Sequence, residues 1–435
     1  MPYAESSAIE RETPRSMAPF IVLWTGQAFS LFGSRLVQFA LVWWLTRESG
    51  SATVLAAATL MAMLPQILLG PFAGVLVDRW DRRRTMMLSD SCIALATVGL
   101  AALFALGRAQ VWHILGLMFL RSLGGAFQWP AMQAATTMLV PDRHLARVGG
   151  MNQGLVGLAG IVAPPLGALL LDILPMQGIL AIDVGTALPA VGSLAFIRIP
   201  HPEGAVPSKG AKPTGSLPRA MLHDLGEGLR LVTGWPALRT AIGMGLIINM
   251  LMMPATSLLP LMITNHFQKG ALDLAFLQSL AGIGMVAGGM TLSVWGGFRR
   301  KVVTVLSALA WRGVGLALIG LAPQRVFGLA VVGATLAHFM TPILDGAFMA
   351  MLQATVPAHI QGRVFTLLQS GFMLAVPIGL AMAGPAADVF GVRIPFIVAG
   401  AATVLLAAYG ASNPVLGRFE RESAPTIGRA QTAEE

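Results

Sequence analysis

The chain has 435 residues, of which 55% are hydrophobic and only 11% are charged. Soluble domains carry roughly 25% charged residues, so this composition excludes a water-soluble globular protein or enzyme and predicts a membrane protein. The formal net charge of +9 has the sign that nucleic-acid-binding proteins carry, but the positions of the basic residues indicate membrane topology and no nucleic-acid partner.

Long apolar runs fill most of the chain. A hydrocarbon core about 30 Å thick is crossed by a helix of about 20 apolar residues. Twelve runs meet this requirement: 19–46, 52–77, 85–107, 111–139, 149–172, 178–197, 239–264, 273–297, 302–322, 326–352, 363–389 and 393–412. The sequence therefore predicts an all-α membrane protein with twelve transmembrane helices. Residues 1–18 lack an apolar core and a cleavage site, so we expect the first span itself to target the chain.

The basic residues divide the turns into two classes. Most of the 29 Lys and Arg residues lie in the N-terminal tail, the even-numbered turns, the central segment and the C-terminal tail. The odd-numbered turns contain only Arg47, Arg108, Lys269, Arg325 and Arg393. By the positive-inside rule, both termini are predicted to be cytoplasmic, with the chain crossing the plasma membrane many times. Anionic lipid headgroups would then attract the basic surface.

A polar segment divides the spans six and six. Pro, Gly and Ser make residues 198–220 a flexible linker, and apolar residues recur at helical spacing from 221 to 232, which predicts an amphipathic surface helix. The predicted organisation is an N-terminal tail 1–18, a first half 19–197, a linker 198–238, a second half 239–412 and a C-terminal tail 413–435.

The two halves are related by a constant offset of 216 residues. Val140-Pro141 and Arg147-Val148 match Val356-Pro357 and Arg363-Val364, Asp172 matches Asp388, and Arg83-Arg84 match Arg299-Arg300. Agreement at three separate places indicates a duplication. Parallel repeats of this kind form a binding site between the halves, near the middle of the membrane.

The turn between spans 2 and 3 reads Gly74-Val-Leu-Val-Asp78-Arg79-Trp-Asp81-Arg82-Arg83-Arg84. This pattern resembles the loop 2–3 signature of the major facilitator superfamily, and the spans, duplication and linker extend the resemblance over the whole chain. Asp81 stands where the general pattern has Gly. The signature with Asp81, together with Trp43-Trp44 and the segment 49–52 (Ser-Gly-Ser-Ala), is similar to the macrolide and multidrug exporter branch of the superfamily. This branch also includes siderophore exporters.

The signature predicts a conformational latch at the cytoplasmic face. Gly74 permits close helix approach, Asp78 stands at a helix end, and Arg79, Arg82 and Arg83 can bridge the ends of other helices. Such a cluster can hold one conformation and release in another. The alternative is that the arginines only set the topology. The second copy, Gly296–Lys301, keeps the basic residues but lacks the Asp, so the latch is expected in one half only.

Four charged residues lie well inside spans: Arg35, Arg121, Arg312 and Asp345. Facing lipid they would together cost on the order of 10–14 kcal/mol, so we expect them to face protein or water. The resemblance places spans 1, 4, 7 and 10 around a central cavity, which fits Arg35, Arg121 and Asp345 but not Arg312. The resemblance also implies that Arg121 takes part in proton transfer. Asp345 is the acidic residue placed well inside a span, which predicts a coupling group that is alternately protonated and charged; the alternative is a fixed Asp–Arg pair joining the halves.

Polar residues on the cavity spans are the candidates for substrate contact: Gln27, Arg35, Gln38, Gln128 and Asn249. Span 5 carries Gly160, Pro164, Pro165 and Gly167, which resemble the fifth-span motif of antiporters in the family. General helix packing explains these glycines and prolines equally well.

The resemblance implies a secondary active exporter that works by alternating access and exchanges protons for amphiphilic drugs such as macrolides. Alternatives are a dedicated exporter of a siderophore or other anionic metabolite, and a non-transporting receptor on the same fold. An enzyme is not predicted, because the seven His residues are scattered and the only Cys is Cys92. No metal and no cofactor are expected, and the predicted partners are a small molecule, protons and lipids around a monomer.

Overall fold

The computed structural model describes residues 17–197 and 233–418, without the side chains of residues 71, 74, 75, 78, 79, 142, 358, 359, 363, 417 and 418. Twelve long helices follow one another in these ranges: α1 Ala18–Ser49, α2 Ala52–Arg79, α3 Arg82–Ala105, α4 Val111–Leu139, α5 Leu145–Ile173, α6 Met176–Phe196, α7 Pro236–Ser257, α8 Ala271–Trp295, α9 Lys301–Leu321, α10 Phe327–Thr355, α11 Ala358–Phe390 and α12 Arg393–Ser412. Short helical turns at Leu259–Leu261 and Met262–His266 prolong α7. The predicted amphipathic helix at 221–232 lies outside the described residues.

The predicted all-α membrane fold is confirmed. Eleven of the described helices are long and apolar enough to cross a membrane. The remaining long helix, α4, carries His113, Arg121 and Gln128, which lower its hydropathy. It nevertheless packs within the bundle against α1, α2 and α3.

Local sequence sets the sharp turns between the helices. Gly50 ends α1 with a φ of 59°, a left-handed conformation that suits glycine. Ser51 then caps α2, where its side chain accepts a hydrogen bond from the backbone of Val54. Asp81 caps α3 in the same way, because its carboxylate accepts the backbone N–H of Arg84 at 2.9 Å. The departure of Asp81 from the general signature thus has a structural role.

The first six and the last six helices pack in the same pattern. In the first half α1 contacts α5 and α6, α4 contacts α2 and α3, and α3 contacts α6. In the second half α7 contacts α11 and α12, α10 contacts α8 and α9, and α9 contacts α12. The arrangement follows the duplication that the constant offset indicates.

Two seams join the halves, α2 with α11 and α5 with α8. We call the end of the bundle that holds the turns after α1, α3, α5, α7, α9 and α11 the odd-turn end, and the opposite end the even-turn end. The α2–α11 seam lies towards the odd-turn end, where Ala56 packs in one cluster with Val376 and Leu380. Leu259–Leu261 also contacts α1 at this end.

The halves separate towards the even-turn end. In the α5–α8 seam, the hydroxyl of Ser279 donates to the carbonyl of Ile161 at 2.7 Å. Farther along the same face of α5, a Cβ built on Gly154 or Gly150 would meet no atom within 4 Å. On the facing side of α8, Met290 is 64% exposed. The gap between the halves is therefore open at one end of the bundle and closed at the other.

Candidate transport site

Arg35 lies halfway along α1 and is exposed. Gly26 and Gly33 bring α1 against α6, since a Cβ at either position would collide with α6 atoms. At 100° per residue, Arg35 points about 200° away from Gly33, to the side of α1 opposite α6. Its guanidinium makes no hydrogen bond or ion pair with any described residue. A charge in mid-membrane avoids lipid, so this position is consistent with a side chain that faces the gap between the halves.

Asp345 is exposed on α10 and lines a cavity of the second half together with Arg312 of α9 and Asn249 of α7. Asp345 and Arg312 carry opposite charges and face the same cavity without forming an ion pair, and the Nε of Arg312 is buried with no hydrogen-bond partner among the described residues. Arg312 did not fit the central cavity that the resemblance implies. In the structure it lines the same cavity of the second half as Asp345. Trp129 of α4 occupies the equivalent position in the first half and is 60% exposed.

Arg121 of α4 forms a buried ion pair with Asp183 of α6, inside the first half. Ser34 donates to Asp183 at 3.1 Å, and the hydroxyl of Thr97 donates to it at 3.3 Å. The network ties α1, α3, α4 and α6 together. The structure therefore brings Arg121 to Asp183 and not to Asp345.

A second polar network surrounds Asp90 of α3, which is only 4% exposed. The side-chain amide of Gln27 donates to one oxygen of Asp90 at 3.1 Å, and the amide of Gln128 donates to the other at 2.6 Å. The Gln128 amide is also 3.0 Å from the Gln27 carbonyl oxygen. Two of the predicted substrate-contacting residues are thus committed to a buried carboxylate.

The remaining predicted cavity residues differ in their surroundings. Asn249 donates to the carbonyl of Gly245 on its own helix at 3.2 Å while lining the cavity of the second half. Gln38 is half-buried on α1 and makes no hydrogen bond to a described residue.

The predicted latch residues lie in the last two turns of α2 and the first turn of α3. Arg83 donates to the carbonyls of Leu194 and Ala195 at 2.5 and 2.6 Å, and so caps the C-terminal end of α6. Arg82 is buried at the start of α3. Gly74, Asp78 and Arg79 lie in α2, but their side chains are among those not described. The two hydrogen bonds of Arg83 stay within the first half, at the open end of the bundle.

The predicted motif of span 5 lies where α5 packs against α1 of its own half and against α8 of the other half. Gly167 lies against α1, where a Cβ would stand 3.0 Å from the ring of Phe39. Pro164 is buried and Pro165 is half-buried within the continuous helix. Gly160 lies beside Gly282 of α8 and has open space at its Cβ position. Both of the sequence-level explanations remain compatible with this arrangement.

Two carboxylates of the first half, Asp90 and Asp183, have functional surroundings that the sequence did not predict. Each lies about two turns inside its helix, and neither is among the four charged residues that the sequence places well inside spans. Their sequence signal is an acidic residue within an apolar run, seven residues after the start of α6 for Asp183. Among the described residues no three metal-ligating side chains come together.

Comparison with known proteins agrees with this architecture. The sequence model of the Major Facilitator Superfamily matches residues 23–311 and 255–429. The chain belongs to the major facilitator superfamily. It is therefore a multi-pass membrane transporter of this superfamily and not an enzyme. The helical packing described above is this family's fold.

Similar members of the superfamily are efflux proteins. Macrolide efflux protein A of Streptococcus pyogenes is 32% identical over 388 residues, covering 89% of this chain and 94% of the relative. The multidrug efflux pump Tap of Mycolicibacterium fortuitum is 27% identical over 400 residues, covering 90% and 95%. The predicted likeness to the macrolide and multidrug branch is confirmed, and these relatives support a bacterial drug exporter.

Solved structures share the fold at low identity. A bacterial homologue of the human lysosomal transporter Spinster, in an inward-facing and unoccupied conformation, superposes with a TM-score of 0.68 at 16% identity over 93% of this chain and 98% of that one. The nucleoside transporter NupG gives a TM-score of 0.65 at 13% identity, over 91% and 99%.

Proposed function

We propose that this protein is a secondary active exporter that moves amphiphilic drugs such as macrolides out of the cell in exchange for protons. The observation that carries the proposal is the full-length similarity to macrolide efflux protein A. The gap between the halves supports it, because a carrier open at one end needs only to close that end and open the other. We further propose that both termini are cytoplasmic, which makes the described state open to the cytoplasm.

We propose Asp345 as the carboxylate that carries the coupling proton. It is exposed in mid-helix, has no ion-pair partner among the described residues, and faces Arg312 across a cavity. A carboxylate in such a place can bind a proton from water and, once ionised, attract the guanidinium. In addition to Asp345 and Arg312 of the second half, Arg121 and Asp183 form an ionisable pair in the first half.

The test is efflux from proteoliposomes that contain the purified protein, loaded with a macrolide and given an inwardly directed proton gradient. We expect efflux that stops when the gradient is collapsed with a protonophore. A panel of cationic, neutral and anionic compounds in the same vesicles would reveal a dedicated exporter of an anionic metabolite. Gradient-independent efflux, or none of any compound, would contradict the proposal.

The coupling residue is tested by Asp345→Asn in the same assay. We expect gradient-driven efflux to fall to the level of empty vesicles, because the amide cannot exchange a proton. The matched control is Asp172→Asn, an exposed aspartate in α5 that makes no hydrogen bond to a described residue, and it should transport normally. Wild-type rates in Asp345→Asn would remove this residue from the coupling mechanism.

A further inference from the structure

The odd-turn end of the bundle is closed by one face of α11. Leu380, Gly384 and Asp388 follow one another every fourth residue, so they share this face. Gly384 allows the close approach, since a Cβ there would stand 2.9 Å from the Cβ of Ala56 and 3.0 Å from the Cα of Thr53 on α2. The two helices belong to different halves.

Asp388 binds the first residues of α2 through four hydrogen bonds. Its carboxylate accepts the backbone N–H groups of Ala52 at 2.6 Å and Thr53 at 3.0 Å. It also accepts the hydroxyls of Ser51 at 3.0 Å and Thr53 at 2.6 Å. The first N–H groups of a helix have no partner within the helix, and the helix dipole favours an anion at this end. Asp388 thus caps α2 from the other half, on the Ser-Gly-Ser-Ala segment that the sequence singles out.

The equivalent bond of the other half is absent among the described residues. Asp172, the repeat mate of Asp388 on α5, is exposed and makes no hydrogen bond to a described residue. The N-terminal end of α8 uses its own Asp273, which accepts the N–H of Gly270 at 3.2 Å and pairs with Lys269 at 2.9 Å. Among the residues that the structure describes, a charged side chain therefore ties the α2–α11 seam but not the α5–α8 seam.

We propose that Asp388 is a clasp that holds the odd-turn end closed, and that opening this end requires its carboxylate to leave the start of α2. When the carboxylate leaves, its four donors exchange an ordered protein acceptor for water. The clasp therefore biases the protein towards the state that is open at the even-turn end. Asp388 acts here by positioning α11 against α2 and does not touch cargo. The proposal concerns the balance between two conformations and does not depend on the coupling ion or the cargo.

The experiment measures distances between the halves by double electron–electron resonance, in lipid nanodiscs without cargo. In a Cys92→Ser background, spin labels at Arg108→Cys and Gln324→Cys report the odd-turn end, and labels at Thr137→Cys and Gln353→Cys report the even-turn end. Each pair joins repeat-equivalent exposed positions of the two halves. Asp388→Ala, Asp388→Asn, Thr53→Val and Asp172→Ala are compared with the parent protein.

We expect Asp388→Ala to raise the population with long odd-turn distances about tenfold, which is about 1.4 kcal/mol, with shorter distances at the even-turn end. Asp388→Asn should shift less, because it keeps one acceptor oxygen, and Thr53→Val should shift in the same direction. Asp172→Ala should match the parent. Distances in Asp388→Ala that equal those in Asp172→Ala, in samples that remain monodisperse, would overturn the clasp. If Asp388→Ala shifts the distances as expected but the protein transports no compound, only the proposed function is contradicted.

Discussion

At the scale of single residues, the buried carboxylates Asp90 and Asp183 of the first half have polar partners within that half, whereas Asp345 of the second half has none among the described residues. Arg121 is paired with Asp183, and Asp90 is held by two glutamines. Arg312 and Asp345 face a cavity and have no such partners among the described residues. An unpaired carboxylate in the membrane interior is expensive to keep ionised, so we expect Asp345 to take up and release a proton during the transport cycle.

The Arg121–Asp183 pair gives a residue-scale prediction. Asp183→Ala should lower the free energy of unfolding by about 3–5 kcal/mol, because it leaves a guanidinium buried without its partner. Thermal unfolding followed by tryptophan fluorescence in detergent measures the loss. The double variant Arg121→Met/Asp183→Leu removes both charges and should recover most of the stability. Equal melting temperatures for Asp183→Ala and the wild type would show that the pair is not structural.

At the scale of helices, small residues decide where backbones meet. One such contact in the second half joins α9 and α10 through a glycine on each helix. A Cβ on Gly315 would stand 2.6 Å from the carbonyl oxygen of Gly333, and a Cβ on Gly333 would stand 2.5 Å from that of Gly315. Association of membrane helices depends on such close packing, because lipid removes the hydrophobic force between them.

This contact predicts that Gly333→Ala destabilises the protein by about 1–3 kcal/mol, since the added methyl group forces the two helices apart. Gly328→Ala on the same helix is the control, because a Cβ at Gly328 meets no atom within 4 Å. Melting temperatures in detergent compare the two variants. A Gly333→Ala protein as stable as Gly328→Ala would mean that α9 and α10 can separate without loss.

At the scale of the whole molecule, the two halves share one packing pattern but close only at the odd-turn end. The α5–α8 seam shows the change along a single pair of helix faces. A Cβ built on Gly157 would stand 3.9 Å from a methyl group of Val286. A Cβ built on Gly150, on the same face of α5, would meet no atom within 4 Å.

Oxidative cross-linking tests this geometry. In a Cys92→Ser background without cargo, Gly157→Cys/Val286→Cys should form a disulfide readily, because the helices touch there. Gly150→Cys/Ser293→Cys, on the same faces towards the even-turn end, should not, because the halves have separated. Mobility shifts on non-reducing gels, with each single-cysteine variant as a blank, give the yield. Equal yields from both pairs would contradict a state open at the even-turn end.

The sequence alone predicted the class and the framework of this protein. The all-α fold, the membrane spans and the superfamily follow from length, apolarity and the turn signature, because a lipid core constrains span length directly. The duplication followed from one repeated offset, and the packing of the helices is consistent with it. The cytoplasmic position of the termini and the domain boundaries remain predictions.

Only the tertiary structure decided which charges meet. Nothing in the sequence pairs Arg121 with Asp183, or joins Asp388 to the start of α2 across 336 residues. The physical reason is that a membrane helix is apolar on its lipid-facing side as well as its packed side, so hydrophobic periodicity does not reveal how the helix is rotated. Rotation and neighbours determine polar partners, and both are fixed only when the twelve helices pack.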